Sequence, residues 1–254
     1  MRKENSCKLG RRRIYTTSYR KSIVSIAHLH SETINIWSHL AGTLWFCASA
    51  THFAGTATGL LSPSAVGILA YLIANVFCFA FSTLYHIFAN HVEADFWLRL
   101  DHFGIVFVIW ASSISFVALS FSCNFGKQSV YTGFVTAAAA LCSLRLWGNS
   151  QHSCSERRSR ISTYAALGSL ATLPAFHCYN LGRDFGLLTD FGTLVTINTF
   201  GGIIYATRLL DKEIEIKLGV LGASHQIMHI LAVAGALVYE QGLLSAFKVS
   251  TLCA

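Results

Sequence analysis

Four polar residues of this chain stand where apolar runs would otherwise cross a bilayer: His86, Asp101, His225 and His229. Ionisable side chains are expensive in lipid, so those that persist there usually face a bundle interior and serve a function. His225 and His229 are four apart, which sets both rings on one helix face about one turn apart. Two imidazoles at that spacing suit two positions of a tetrahedral zinc ion, and His86 as a third leaves the fourth position open for chemistry. Ser82 stands in the same relation to His86 and is placed to orient it or to touch a bound water. Each residue also has an ordinary reading. A lone histidine in a span is usually a hydrogen-bonded interior residue, Ser82 can bond its own helix backbone, and Asp101 can cap a helix start. The occurrence of all four at one depth favours the metal.

The elements that must position these residues are membrane helices. Hydrophobic residues make up 53% of the 254 positions and charged ones only 12%, with a mean hydropathy of +0.50. That is too apolar, and too evenly so, for an ordinary soluble domain. A net charge of +7 invites a nucleic-acid reading, but eight of the 19 Lys and Arg fall within the first 21 residues, just before the first apolar run. A tail of that kind faces anionic lipid and fixes orientation, and no nucleic-acid partner is expected. We divide the chain into a basic cytosolic tail over 1–22 and a helical membrane body over 23–254.

A crossing takes about 20 helical residues, and seven segments are long enough: 34–54, 64–88, 100–122, 128–148, 161–180, 188–209 and 221–244. All are expected to be α-helices, since an isolated strand leaves its backbone polar groups unpaired in lipid. The fifth carries Pro174, read as a kink. Positive charge continues on alternate loops, with Arg99, then Arg157, Arg158 and Arg160, then Arg208, Lys212 and Lys217, so the N-terminus is predicted cytosolic and the C-terminus outside. This orientation is opposite to that of G-protein-coupled receptors. It brings Ser82, His86, Asp101, His225 and His229 together at the inner leaflet. Cys123 and Cys253 fall on the outer side, where they can pair, and His28, His30, His91 and His152 are read as solvated residues of loops or tail.

The segments HSETINIWSHLAG (30–42), FSTLYHIFANH (81–91), RLDHFGI (99–105), GGIIYATRLLDKE (201–213) and GASHQIMHILAVAGALV (222–238) resemble the progestin and adipoQ receptor family, near its adiponectin-receptor and fungal branch and related to hemolysin III. The similarity runs in order from about Tyr19 over almost the whole chain. It implies a seven-helix fold, a zinc ion held by His86, His225 and His229, Asp101 hydrogen-bonded to the water on that ion, and Ser82 close by. His102 stands where the adiponectin-receptor branch commonly has Tyr, which leaves the surroundings of Asp101 open. Glu32, Asn35 and His39 belong to the first motif; Glu32 and His39 either support the metal ligands from behind or are structural, and we favour structural, because Asn35 and Glu32 can cap and tie helix ends without touching the metal.

Zinc with three protein ligands acidifies a water and polarises a carbonyl, the equipment of a hydrolase, with Asp101 as general base. A site in the inner leaflet meets substrates arriving from lipid or from a cytosolic opening. The resemblance implies ceramidase activity, hydrolysis of a ceramide-like lipid amide to a sphingoid base and a fatty acid, with duties in lipid and metal homeostasis signalling. An extracellular protein ligand is a further expected partner, and the plasma membrane or endoplasmic reticulum the expected location. Two other readings stand beside this one. The chain is a non-catalytic receptor with structural zinc, or a transporter or proton relay using the buried His and Asp residues.

Overall fold

A computed structural model describes residues 13–148, 154–182, 185–211, 213–214 and 222–252, and among these the regular elements are helices joined by turns, with one isolated bridge between Thr16 and His91. His152 and Cys253 lie outside the described residues. The helices are α1 (Tyr19–Val24), α2 (Thr33–Thr56), α3 (Pro63–Phe88), α4 (Ala94–Ser120), α5 (Phe125–Gly148), α6 (Cys154–Ala171), α7 (Leu173–Asn180), α8 (Phe185–Thr207) and α9 (Ala223–Leu252). Five of them, α3, α4, α5, α8 and α9, are long and apolar enough to cross a membrane. Large apolar side chains such as Phe77, Leu141, Leu144 and Phe200 are exposed on their outer faces, as lipid contact requires. α2 has the length of a crossing but carries Asn35, Ser38, His39, Thr43 and His52, which dilute its apolar character.

The predicted fifth segment is two helices. Pro174 has no N–H to continue the backbone ladder, and the chain breaks at Thr172 between α6 and α7. The break frees the carbonyl of Ala171, which accepts the Ser113 hydroxyl of α4 at 2.9 Å. A neighbouring helix thus satisfies the group that the break exposes.

The apolar core lies among α2, α3, α4, α8 and α9 and is built on Phe46, Tyr71, Phe116, Phe121 and Tyr239. Polar ties within it fix α9 against its neighbours. The Tyr71 hydroxyl of α3 donates to the Ala236 carbonyl at 2.8 Å, and the Tyr239 hydroxyl donates to Ser112 of α4 at 3.1 Å. The buried carboxylate of Glu240 accepts the Trp45 indole N–H of α2 at 2.7 Å and the Ser49 hydroxyl. Unsatisfied polar groups cost most where no water can replace a lost partner, so these contacts favour one helix register.

α3 and α4 make the closest helix pair. A Cβ on Gly104 would stand 2.8 Å from the Cα of Cys78, so only glycine lets the backbones approach this far. The contact lies one turn from Asp101 on α4 and one turn from Ser82 on α3, and it sets the spacing between those two. Gly104→Ala is therefore expected to lower stability by about 1–3 kcal/mol through overpacking. Gly133→Ala, at a site with no atom within 4 Å of the new Cβ, should not. Thermal unfolding of both variants in detergent checks this, and equal melting temperatures would refute the close-approach argument.

Candidate metal centre

His86 lies in the last turn of α3, and His225 and His229 in the first two turns of α9. The start of α9 is set locally. Gly222 takes φ 70°, the left-handed conformation that favours glycine, and its carbonyl accepts the N–H groups of His225 and Gln226 at 3.0 and 3.2 Å. Asp211 accepts the Ser224 N–H at 2.9 Å, satisfying another free donor of the helix start. Gln226, between the two histidines, donates to the Ser31 carbonyl at 3.1 Å and ties α9 to the turn that opens α2.

The three rings converge by one atom each. Nε2 of His86 is 3.2 Å from Nε2 of His229 and 3.4 Å from Nε2 of His225, and the two α9 atoms are 2.8 Å apart. Two nitrogens bound at 2.0–2.1 Å to one tetrahedral centre stand about 3.3–3.4 Å from each other. The observed triangle is close to that size. His86 and His229 are buried and His225 is half-buried.

Tautomer chemistry strengthens the fit. The Nδ1–H of His86 donates to Glu32 Oε2 at 2.8 Å, which leaves a lone pair on His86 Nε2 directed at the other two rings. Glu32 also accepts the Asn35 amide at 2.8 Å. Burial pushes the Glu32 carboxyl up, but the His86 contact and the Asn35 hydrogen bond outweigh it and hold the group below the ordinary carboxylate range. Of the two roles open to Glu32, this geometry favours support of a ligand over the structural tie preferred from sequence. Glu32 occupies the N-cap position of α2 but makes no side-chain cap bond, and its carboxylate orients a ring of the cluster instead. A carboxylate behind a ligating histidine is the usual support of a metal-binding imidazole.

Asp101 also departs from one of its two expected places. α4 begins at Ala94, six residues before the predicted start, so Asp101 sits two turns inside the helix and does not cap it; Asp95 is the acid of the first turn. Its carboxylate lies within electrostatic reach of Cys78, Ser82, Tyr85 and His86 on α3 and of Tyr164 on α6. It is not one of the three converging ligands. The Ser82 hydroxyl is buried one turn before His86 and faces the Asp101 carboxylate. His102 is buried on a different face from Asp101, with its ring 6.2 Å from Tyr164. His39 is buried and packs its ring 3.9 Å from that of His229.

Two histidines read as solvated are buried. Nδ1 of His30 accepts the Glu32 N–H at 3.1 Å, and Nδ1 of His91 accepts the Glu93 N–H at 3.2 Å. Each thereby shapes the turn ahead of a helix. His28 is exposed.

The cluster suits a divalent metal. Three Nε2 atoms within 3.4 Å repel one another as lone pairs unless protons or a cation lie between them, and a set of imidazoles with a carboxylate behind one of them could hold a metal ion. A family model described as haemolysin-III related matches residues 27–239. The chain is 27% identical over 235 residues to the adiponectin receptor protein of Drosophila melanogaster, covering 89% of this chain but only about half of that protein, 53%. It is 23% identical over 252 residues to the ADIPOR-like receptor IZH2 of Saccharomyces cerevisiae (92% of this chain, 77% of the relative). It is 27% identical over 231 residues to human progestin and adipoQ receptor family member 3 (84% and 73%).

Removing the Glu32 carboxylate tests the support directly. Glu32→Gln is expected to weaken zinc binding by about 10–100-fold, the usual effect of losing such a partner. Chelator competition on purified protein measures it, and an unchanged affinity would show that Glu32 does not support the centre.

Proposed function

Since the chain belongs to the haemolysin-III-related family, that of the progestin and adipoQ receptors, we propose that this integral membrane protein holds zinc on His86, His225 and His229 and hydrolyses a ceramide-like lipid amide. In this reading α2 and the α6–α7 pair add two crossings to the five apolar ones. The N-terminus is cytosolic, the C-terminus is outside, and the centre lies at the inner leaflet of the plasma membrane or endoplasmic reticulum. The observation that carries the proposal is the convergence of three Nε2 atoms with Asp101 and Ser82 beside them.

Zinc, when bound, supplies a Lewis acid that polarises the amide carbonyl and makes water a better nucleophile at neutral pH. The chain's own residues do the rest. Glu32 keeps the His86 proton on Nδ1, so that Nε2 remains a donor to the metal. Asp101 takes the proton from the attacking water as its oxygen adds to the carbonyl carbon. It returns that proton to the nitrogen as the C–N bond breaks, leaving a fatty acid and a sphingoid amine. Ser82 donates to the Asp101 carboxylate or to the substrate. Lipid on the outer helix faces supplies the route for a two-chain substrate and its products.

One observation favours a second reading. The relatives' names are those of receptors, so a protein in which zinc braces α3 against α9 and an extracellular protein ligand shifts the helices stands beside the hydrolase. Purified protein incubated with ceramide separates the two. The hydrolase releases fatty acid, chelation stops it, and Asp101→Ala lowers the rate by about 10²-fold or more while zinc stays bound. Chelation that lowers the melting temperature with no product from the untreated protein would favour the receptor and refute turnover.

A further inference from the structure

The strap that precedes α2 carries a feature the metal reading does not use. Arg13 extends from the basic segment to the C-terminal end of α3, where helix carbonyls lack partners. One guanidinium nitrogen donates to the Ile87 carbonyl at 2.6 Å and to the Ser25 hydroxyl at 3.0 Å, and the other donates to the carbonyl of His86 itself. Arg13 also lies close enough to Glu32 for their charges to interact. The strap is held independently around it. Asn90 donates to the Ile14 carbonyl at 2.8 Å and accepts the Ser22 hydroxyl at 3.0 Å, and Tyr19 stacks on His91 with ring centroids 4.0 Å apart.

We infer that Arg13 is a positioning residue for the metal centre: it fixes the backbone of His86 from outside while Glu32 fixes the ring. This rests on the metal reading but not on turnover. A forked guanidinium can hold two successive carbonyls together, whereas a lysine ammonium acts as a point charge. A positive group is also favoured at a helix C-terminus, where the partial charge is negative. An open cleft of about 300 Å³, lined by Arg13, Ile14, Thr16, Lys21 and Asn90 among others, runs alongside. Water can therefore reach the freed carbonyls when the guanidinium is lost, so the effect falls on the position of His86 more than on the fold.

The test is titration of purified, metal-stripped protein with Zn²⁺ by chelator competition and with Co²⁺ by visible absorption, alongside the melting temperature of the metal-free form. Arg13→Gln should bind both ions about 10-fold or more weakly, the scale of a lost supporting partner, and should shift the Co²⁺ ligand-field bands. Arg13→Lys should recover part of the affinity, and it carries the test should Arg13→Gln not fold. Asn90→Ala, which loosens the strap without touching His86, should bind metal as the unaltered protein does. The inference is overturned by Arg13→Gln titrating like the unaltered protein, or by Asn90→Ala losing as much affinity as Arg13→Gln. An unaltered protein that binds no metal overturns the centre and this inference together. Arg13-dependent metal binding without ceramide cleavage overturns only the hydrolase.

Discussion

Three imidazole nitrogens held within 3.4 Å of one another, away from bulk water, form the constraint around which this protein is organised. Their lone pairs repel unless something positive sits among them, and in a low-dielectric interior that repulsion is poorly screened. A metal ion held among them would convert it into an attraction. The first turns of α9, the last turn of α3 and the turn opening α2 are all arranged about that point. With nothing positive among the rings, α3 and α9 would meet here through mutually repelling lone pairs.

The remainder of the fold can be understood as the means of holding those rings in place. Glycine at position 104 lets α4 approach α3 and sets the distance from Asp101 to Ser82. Tyr71, Tyr239 and Glu240 tie α9 to α3, α4 and α2 near its middle, so that its first turns cannot slide. Gln226 and Glu32 lock the beginning of α2 to α9 and to His86. Polar contacts of this kind specify register well in an apolar bundle because the alternatives leave buried groups unpaired.

Much of this was legible from residue types alone. The helical class, the apolar spans of α3, α4, α5, α8 and α9, and the grouping of His86, His225 and His229 follow from hydropathy and the i, i+4 spacing. Helix ends were less legible, since they depend on contacts distant in sequence. α4 extends back to Ala94 because His91 and Glu93 build its opening turn, which moves Asp101 off the helix terminus. The break at Thr172 was foreshadowed by Pro174, but its rescue by Ser113 lies 58 positions away in the chain. Arg13 was hidden for the same reason, since a tail arginine looks ordinary until the fold carries it to His86, and Glu32 stood open between supporting a ligand and capping a helix until the fold set it against that ring. The buried histidines 30 and 91 resembled loop residues because nothing local marks the turns they shape.

X-ray absorption at the zinc K-edge of purified, zinc-loaded protein tests the central claim most directly. The account predicts one ion per chain with three imidazole nitrogens at about 2.0–2.1 Å and one further light-atom position. Absence of bound zinc, or a first shell containing sulfur at about 2.3 Å, would contradict it.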